Sequence, residues 1–481
     1  MSLKKFIDNK LFVYFILILV AFLTRYYLFE DRNSWHDEWH SIYVADPNIS
    51  NDETMLRYYG DKGDSFLTEF HPPLYLFILK FFFKIFGYID DYGRILSLIF
   101  GVLTIPLSMF LTEYLDKGKK FVIIGIIVSF NLFLIWQSIE IRAHSILVAF
   151  SLLNIILFLK ILDEKKPFLL FSYFSCSLFL LSLWPITGAI FFGKTIYLLK
   201  DFLLNKNKNV ELFILFFVIL IFYIFFNLNY LKFNLSRDWH YTSLYESFFY
   251  NYHFRSFFGS KYLGAIFLIT FFLLTIKNFK KIIFKNDKSN LLFYIIFSSY
   301  FLTLLYTILR ASLMSPKYVM FIIPLIIIWI FIELPKAKYH FLKMFYLIVT
   351  ILFFILNVNY SPIVRPPTKI LLEELVKNKT QVIITVESDV FNNYLKTKKL
   401  VKKNNIRIIK YNQDVPDDFD KYWFVCLNNV LHAVGEKGLI SNNPEVESKC
   451  VDFKSHDKFV EQFPSITNIQ DFYIRKFKKN Y

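Results

Sequence analysis

The amino-acid sequence predicts an all-α polytopic membrane protein of about eleven transmembrane helices, with a small α/β domain at its C-terminal end. Three observations predict it. Of the 481 residues, 55% are hydrophobic and 20% aromatic, with 60 Phe against only 13 Gly and 15 Pro. Runs such as 211–231 (ELFILFFVILIFYIFFNLNYL) hold about twenty mostly apolar residues, enough to cross roughly 30 Å of hydrocarbon. After Pro362 the composition changes: charged residues become frequent, and short helical and strand-like patterns alternate.

The formal charge of +16 would point to nucleic acid in a soluble protein. Here the basic residues cluster in short loops between apolar runs, which is the positive-inside pattern and implies no nucleic-acid partner. The three cysteines are a weak signal. Cys176 lies in an apolar run, while Cys426 and Cys450 share the C-terminal region. Those two form either a disulfide, if that region is outside the cytoplasm, or two buried thiols.

Taken in order, Lys4, Lys5 and Lys10 precede the first run, 11–29, and place the amino terminus in the cytoplasm. That run is longer than a signal-peptide core and has no small-residue cleavage site after it, so it reads as a retained span. Residues 30–92 form a first outer loop, acidic as far as Phe70. Within it, 74–87 (LYLFILKFFFKIFG) is apolar but short, and carries Lys80 and Lys84. As a full span it would put the later basic loops outside; as a helix lying in the interface it puts them inside, and the interfacial reading keeps the charge pattern regular.

The other spans then alternate, with 93–115 running inward, 121–137 out, 144–162 in, 168–184 out, 187–199 in, 211–231 out, 261–276 in, 291–309 out, 318–334 in and 345–358 out. The inner loops carry the lysines, above all 277–288, and 232–260 is a second large outer loop. The membrane domain covers 1–360, and a soluble outer α/β domain covers 361–481, entered through Arg365-Pro366-Pro367. In that domain 369–377 and 389–400 read as helical, and 381–386, 406–411 and 422–427 as strands.

This topology gathers polar residues from separate regions at the outer membrane face: Asp37, Glu38, Glu69, His71, Arg94, Glu140, Arg142, Arg310, Lys317 and Tyr318. Ionisable groups at span ends are costly unless paired or used, so each is a candidate. Asp37 and Glu38 sit in Ser34-Trp35-His36-Asp37-Glu38-Trp39-His40-Ser41. A carboxylate beside a second negative charge and partly desolvated becomes a better proton acceptor near neutral pH, which suits a general base with a neighbour that orients substrate or helps hold a cation. The same stretch also fits a solvated loop in an interfacial belt, since Trp35 and Trp39 are what such belts contain.

His71-Pro72-Pro73 ends the loop, and Pro in a first helical turn is ordinary architecture. His71, with Glu69 two residues before it, either binds a metal or phosphate or is structural. Arg94, Arg142, Arg310 and Lys317 suit a phosphate at the interface, because guanidinium groups bind phosphate bidentately and stay charged in low dielectric. Singly, each also fits a side chain reaching to the headgroups. In the second loop, Asp238, His240, Glu246 and His253 either cover an acceptor or belong to an amphipathic interfacial segment.

Together these pieces resemble the integral-membrane glycosyltransferases of the GT-C superfamily, especially the group of protein O-mannosyltransferases, lipid A aminoarabinose transferases and rhizobial lipopolysaccharide transferases. The resemblance is carried by Trp35-His36-Asp37-Glu38, His71-Pro72-Pro73-Leu74-Tyr75, Gly93-Arg94 with Gly101 and Pro106, Ile141-Arg142-Ala143-His144-Ser145, and Ser315-Pro316-Lys317-Tyr318 before Pro324. These occur in the family's order over about 1–335, and the C-terminal domain looks like one that many bacterial members carry.

The resemblance implies a GT-C-like fold in the plasma (inner) membrane. It implies an enzyme that moves a hexosyl or pentosyl group from a polyprenyl-phosphate donor to an envelope glycan, lipid or protein outside the cytoplasm, as in lipopolysaccharide or protein glycosylation. By matching position, Asp37 is the catalytic base with Glu38 its neighbour, Arg94 is the arginine after the interfacial helix, and Lys317-Tyr318 is a basic-Tyr pair near the lipid phosphate. The departures are His144 where the family often has Tyr, Lys317 where it usually has Arg, and Trp184-Pro185 where His-Tyr is often found.

A polyprenyl phosphate is a good leaving group, so such an enzyme needs cations to stabilise it and one base to deprotonate the acceptor hydroxyl. A single displacement without an enzyme nucleophile implies inversion at the anomeric carbon. Carboxylates with His could also hold a divalent metal ion, although no ligand spacing is diagnostic. A transporter or flippase of lipid-linked sugars would instead place charges at mid-membrane and break its helices, and a glycan-binding scaffold would rest on the C-terminal domain. The topology is testable: a reporter fused after Gly87 is expected outside the cytoplasm, and cytoplasmic reporter activity would overturn the interfacial placement of 74–87.

Overall fold

The computed structural model describes residues 10–29, 36–59, 71–118, 120–205, 209–236, 253, 255–285, 287–309, 316–334 and 340–358, and in the C-terminal part 375, 382–385, 391–392, 395, 406–410, 421–427, 458–462 and 472–478. Among them every apolar run forms helix: Lys10–Tyr27, Asp90–Leu115, Lys120–Ser129 with Leu132–Ser138, His144–Asp163, Pro167–Leu183, Gly188–Asn205, Val210–Phe226 with Leu228–Ser236, Lys261–Lys277, Ser289–Leu309, Ile322–Glu333 and His340–Asn357. Four of these are long and apolar enough to cross a membrane alone, and six if each bent pair is one span. Phe217, Phe225 and Phe226 stand exposed along Val210–Phe226, as expected where an apolar helix meets lipid. The chain is a multi-pass membrane protein, all-α in its membrane part.

Two runs read as single spans are bent, by 59° before Leu132 and by 75° before Leu228. An asparagine stands at each break. Asn131 Oδ1 accepts from Leu134 N at 3.0 Å, capping a new helix, while its Nδ2 donates to Phe257 O at 2.8 Å. Asn227 Nδ2 donates to Tyr223 O and Ser182 Oγ, both at 3.0 Å. A third run, 318–334, opens as the 3-10 turn Pro316–Tyr318 and becomes α-helical only at Ile322, leaving 12 residues of helix.

The short segment in the first loop is a 13-residue helix, Leu74–Phe86. At 1.5 Å per residue it is about 20 Å long, less than a bilayer core. Gly87 follows it at φ 114°, a left-handed conformation open to glycine.

The bundle is held by close approach and by polar groups that find partners inside it. A Cβ on Gly193 would lie 2.7 Å from Ile295 Cα, so Gly188–Asn205 and Ser289–Leu309 meet backbone to backbone, with Ser298 Oγ donating to Ala189 O at 2.7 Å. Arg25 is fully buried and donates to Ala21 O at 3.1 Å and Ser129 O at 3.2 Å. Lys194, also fully buried, donates to Asn154 Oδ1 and to Tyr173 OH, the latter at 3.3 Å. Its ammonium lies 4.7 Å from the Tyr173 ring, 5.0 Å from Phe158 and 5.3 Å from Phe191. Glu333, at the end of its helix, accepts from Lys281 Nζ at 2.9 Å and Ser289 Oγ at 2.8 Å.

Contacts within the chain divide it into two units. One is Met1–Glu30, Thr68–Tyr75 and Arg94–Tyr360; the other is Asp31–Leu67, Leu76–Gly93 and Ser361–Tyr481. The C-terminal part contributes strands β1 (Val382–Thr385), β2 (Arg407–Lys410), β3 (Lys421–Leu427), β4 (Lys458–Gln462) and β5 (Phe472–Lys478), in the sheet order β2-β1-β3-β5-β4. β1 runs parallel to β2 and β3, while β5 runs antiparallel to β3 and β4, with an irregularity between Phe459 and Glu461. All four residues of β1 are buried, as a strand covered on both faces requires.

β1 and β2 fall within runs read as strands, and β3 covers the run 422–427 and begins one residue before it, at Lys421. β4 and β5 carried no such expectation, because Lys458, Glu461, Arg475, Lys476 and Lys478 put charge into their alternation. Cys176 is a buried free thiol; Cys450 and the Cys426 side chain lie outside the described residues.

In the second loop, Asp238, His240 and Glu246 lie outside the described residues. His253 is fully buried, its ring 4.1 Å from that of Phe257 and 5.2 Å from that of Tyr300. Burial pushes its pKa down from 6.5 to about 3. The unfolded chain therefore takes up this proton near pH 6.5 and the folded chain only near pH 3, so stability is full above 6.5 and falls as pH drops between the two. His253→Phe is expected to flatten the acid side of a melting-temperature profile in detergent. Gly193→Ala is expected to cost about 1–3 kcal/mol by overpacking, read as a lower melting temperature; an unchanged melt would contradict the close approach at Ile295.

Candidate active site

The site residues fall into two clusters, one in each unit. In the unit that contains Thr68–Tyr75 and Arg94–Tyr360, segments far apart in sequence meet around Trp184. The backbone before a proline is pushed out of the helical region, and Trp184, ahead of Pro185, is extended at φ −160°, ψ 105°. Thr187 Oγ1 donates back to Trp184 O at 2.7 Å and fixes the turn. The indole so held carries the His71 ring stacked on it, with centroids 3.5 Å apart and planes at 22°. Tyr318 lies 5.4 Å from Trp184 and 5.8 Å from His71, and His144 meets the indole edge-on at 5.5 Å. The last three separations lie in the range that aromatic pairs favour.

His71 is delivered by the turn that Pro72-Pro73 make before Leu74–Phe86, and Tyr318 by the 3-10 turn Pro316–Tyr318. Lys317, half-buried beside it, places its ammonium 5.7 Å from the Tyr318 ring. Between Leu132–Ser138 and His144–Asp163, a short loop adds further charge. Glu140 is buried and accepts from Gln137 Nε2 at 2.9 Å, with its other oxygen 3.8 Å from His144 Nδ1. At that distance the carboxylate faces the imidazole as an ion-pair partner whenever the ring is protonated. A continuous line therefore runs Gln137, Glu140, His144, Trp184, His71. Arg142 is buried, and its carbonyl accepts from Ser97 Oγ at 3.3 Å. That bond ties the loop to Asp90–Leu115 about one turn beyond Arg94, which is also buried.

In the other unit, Asp37 lies in the first turn of the helix His36–Val44, followed by buried Glu38 and Trp39. The backbone N–H groups of a first turn stabilise acidic residues there. The far end of this helix is anchored: Tyr88 OH donates to Ile42 O at 3.0 Å and Arg57 Nη1 to Tyr43 O at 2.8 Å. Lys80 Nζ donates to Ile49 O at 2.8 Å, Ser50 O at 3.0 Å, Asn51 Oδ1 at 3.2 Å and Thr54 Oγ1 at 2.8 Å. The lysine that interrupts the apolar run 74–87 thus pins the residues that follow the Asp37 helix.

The structure brings His71, Lys317 and Tyr318 together, with Arg94 and Arg142 buried in the same unit, while Asp37 and Glu38 belong to the other. Glu69, Arg310 and the Asp37 side chain lie outside the described residues. Sequence reasoning did not assign Trp184, His144 or Gln137 to the site. The available signal was an aromatic residue followed by proline where the run 168–184 ends. Among the described residues no three His, Cys, Asp or Glu side chains gather as a metal site.

No family model matches the chain, and no curated protein matches it by sequence. Solved structures do match by fold. ArnT from Cupriavidus metallidurans in the apo state superposes with a TM-score of 0.58 at 9% identity, covering 96% of this chain and 97% of that one. The same protein bound to undecaprenyl phosphate gives 0.55 at 10% identity, with the same coverage. The chain has the fold of ArnT over nearly its whole length, the architecture that its ordered motifs imply.

Proposed function

We propose that this protein is a glycosyltransferase of the GT-C kind that moves a sugar from a polyprenyl-phosphate donor to a cell-envelope glycan, lipid or protein. The observation that carries the reading is the meeting of His71, His144, Trp184, Lys317 and Tyr318 in a fold shared with an ArnT structure bound to undecaprenyl phosphate. Cations held close to aromatic rings suit a lipid-borne phosphate near the membrane surface. Lys317, Arg94 and Arg142 stabilise the phosphate as it leaves. Asp37, supported by Glu38, takes the proton of the acceptor hydroxyl. The new glycosidic bond forms at the anomeric carbon as the bond to the phosphate oxygen breaks, and this single displacement inverts the configuration. The basic inner loops support a plasma-membrane protein whose site and C-terminal domain, 361–481, face outward.

A transporter of lipid-linked sugars is the second reading, favoured by Lys194 buried within its helix and by the two bent spans. Lys194, however, is saturated by Asn154, Tyr173 and three rings, which suits a fixed structural group. Asp37→Asn is expected to fold normally and to lose sugar transfer by a factor of about 10²–10⁴. Mass spectrometry of envelope glycolipids and glycoproteins, with wild type and variant compared, reads the outcome. An active Asp37→Asn protein would remove the mechanism, and unchanged envelope composition with altered movement of the lipid-linked sugar would favour the transporter.

A further inference from the structure

The helix Phe279–Phe284 has six residues, too few to be stable alone. It is held from the bundle side. Tyr294 OH donates to Ile282 O at 2.6 Å, Asn290 Nδ2 to Lys281 O at 3.2 Å and to Lys285 O at 2.8 Å, and Lys200 Nζ to Ile282 O and Lys285 O, the latter at 2.6 Å. Ile282 is buried against this scaffold.

The charges of the segment divide in two. Lys281 pairs with Glu333 and Asp287, and Lys288 pairs with Asp163. Lys280 and Lys285 are exposed and form no ion pair among the described residues, and Lys277 is exposed beside them. Between and around these cations Ile276, Phe279 and Phe284 are more than half exposed. A fixed backbone therefore presents the Lys280 and Lys285 ammonium groups, which form no ion pair among the described residues, next to bare aromatic and aliphatic surface. Ammonium groups attract phosphodiesters, and rings of this kind settle at the boundary between headgroups and acyl chains.

We propose that Lys277–Lys285 is a docking surface for anionic phospholipid headgroups of the leaflet it lies against. The internal ion pairs give it selectivity, because they remove the local carboxylates that would otherwise neutralise Lys280 and Lys285. The surface does not depend on the transferase reading, since it shares no residue with the site around Trp184.

Native mass spectrometry of the full chain, purified with equal amounts of phosphatidylglycerol and phosphatidylcholine, reads which lipid is retained. Wild type is expected to keep phosphatidylglycerol preferentially, and K280Q/K285Q to lose that preference by about fivefold per lysine. K280R/K285R is expected to restore it. K165Q/K166Q, whose lysines already pair with Glu211 and Glu164, is expected to leave it intact. Equal retention of the two lipids by wild type, or undiminished preference in a folded K280Q/K285Q, would overturn the proposal. So would displacement of phosphatidylglycerol by an equal amount of undecaprenyl phosphate, which would make the surface a polyprenyl-phosphate site.

Discussion

Lipid offers a polar group no hydrogen bond, so such a group in the membrane part of this protein is costly unless it finds a partner within the chain. Much of the architecture follows from that constraint. Asn131 and Asn227 stand where spans bend, and their amides supply bonds at the breaks. Arg25 is buried with its Nη1 on two carbonyls, and Lys194 with its amine among an amide and a phenol. Glu333 gathers Lys281 and Ser289 at the end of a 12-residue helix that would otherwise leave a carboxylate unmatched. The same rule shapes the Trp184 turn, where Trp184 O accepts from both Thr187 N at 3.0 Å and Thr187 Oγ1 at 2.7 Å.

The membrane part was legible because hydrophobic length is a one-dimensional property. Each apolar run became a helix, and the short segment 74–87 became a helix too short to span. The bends were not legible, since they depend on Phe257 and Ser182, partners distant in sequence that accept from Asn131 and Asn227. In the C-terminal part, β1 to β3 were readable from aliphatic and aromatic clusters. β4 and β5 were hidden by charges that an edge strand and its neighbour tolerate.

The site was legible in the same uneven way. His71, Lys317 and Tyr318 were named from their place beside span ends, and they lie within one aromatic cluster. Trp184 was marked only as a departure, Trp184-Pro185 standing where the resembled family often has His-Tyr, because its role as a surface for another ring has no further signature in the sequence. Lys80 was legible as a charge but not as an anchor: its four acceptors lie about thirty residues upstream and converge only once the loop has folded. The helix bearing Asp37 and Glu38 is thereby held at its far end.

The stacking of His71 on Trp184, with Tyr318 beside both, also sets an order in time. His71 leaves the ribosome first, and Tyr318 follows about 250 residues later, a delay of roughly 12–50 s at ordinary translation speeds. During that interval the early turn must wait in the membrane without the rings that complete it. The cluster is thus a late event of biogenesis, completed only when a span near the end of the membrane part is inserted, and a chain interrupted before that point holds His71, His144 and Trp184 without Lys317 and Tyr318.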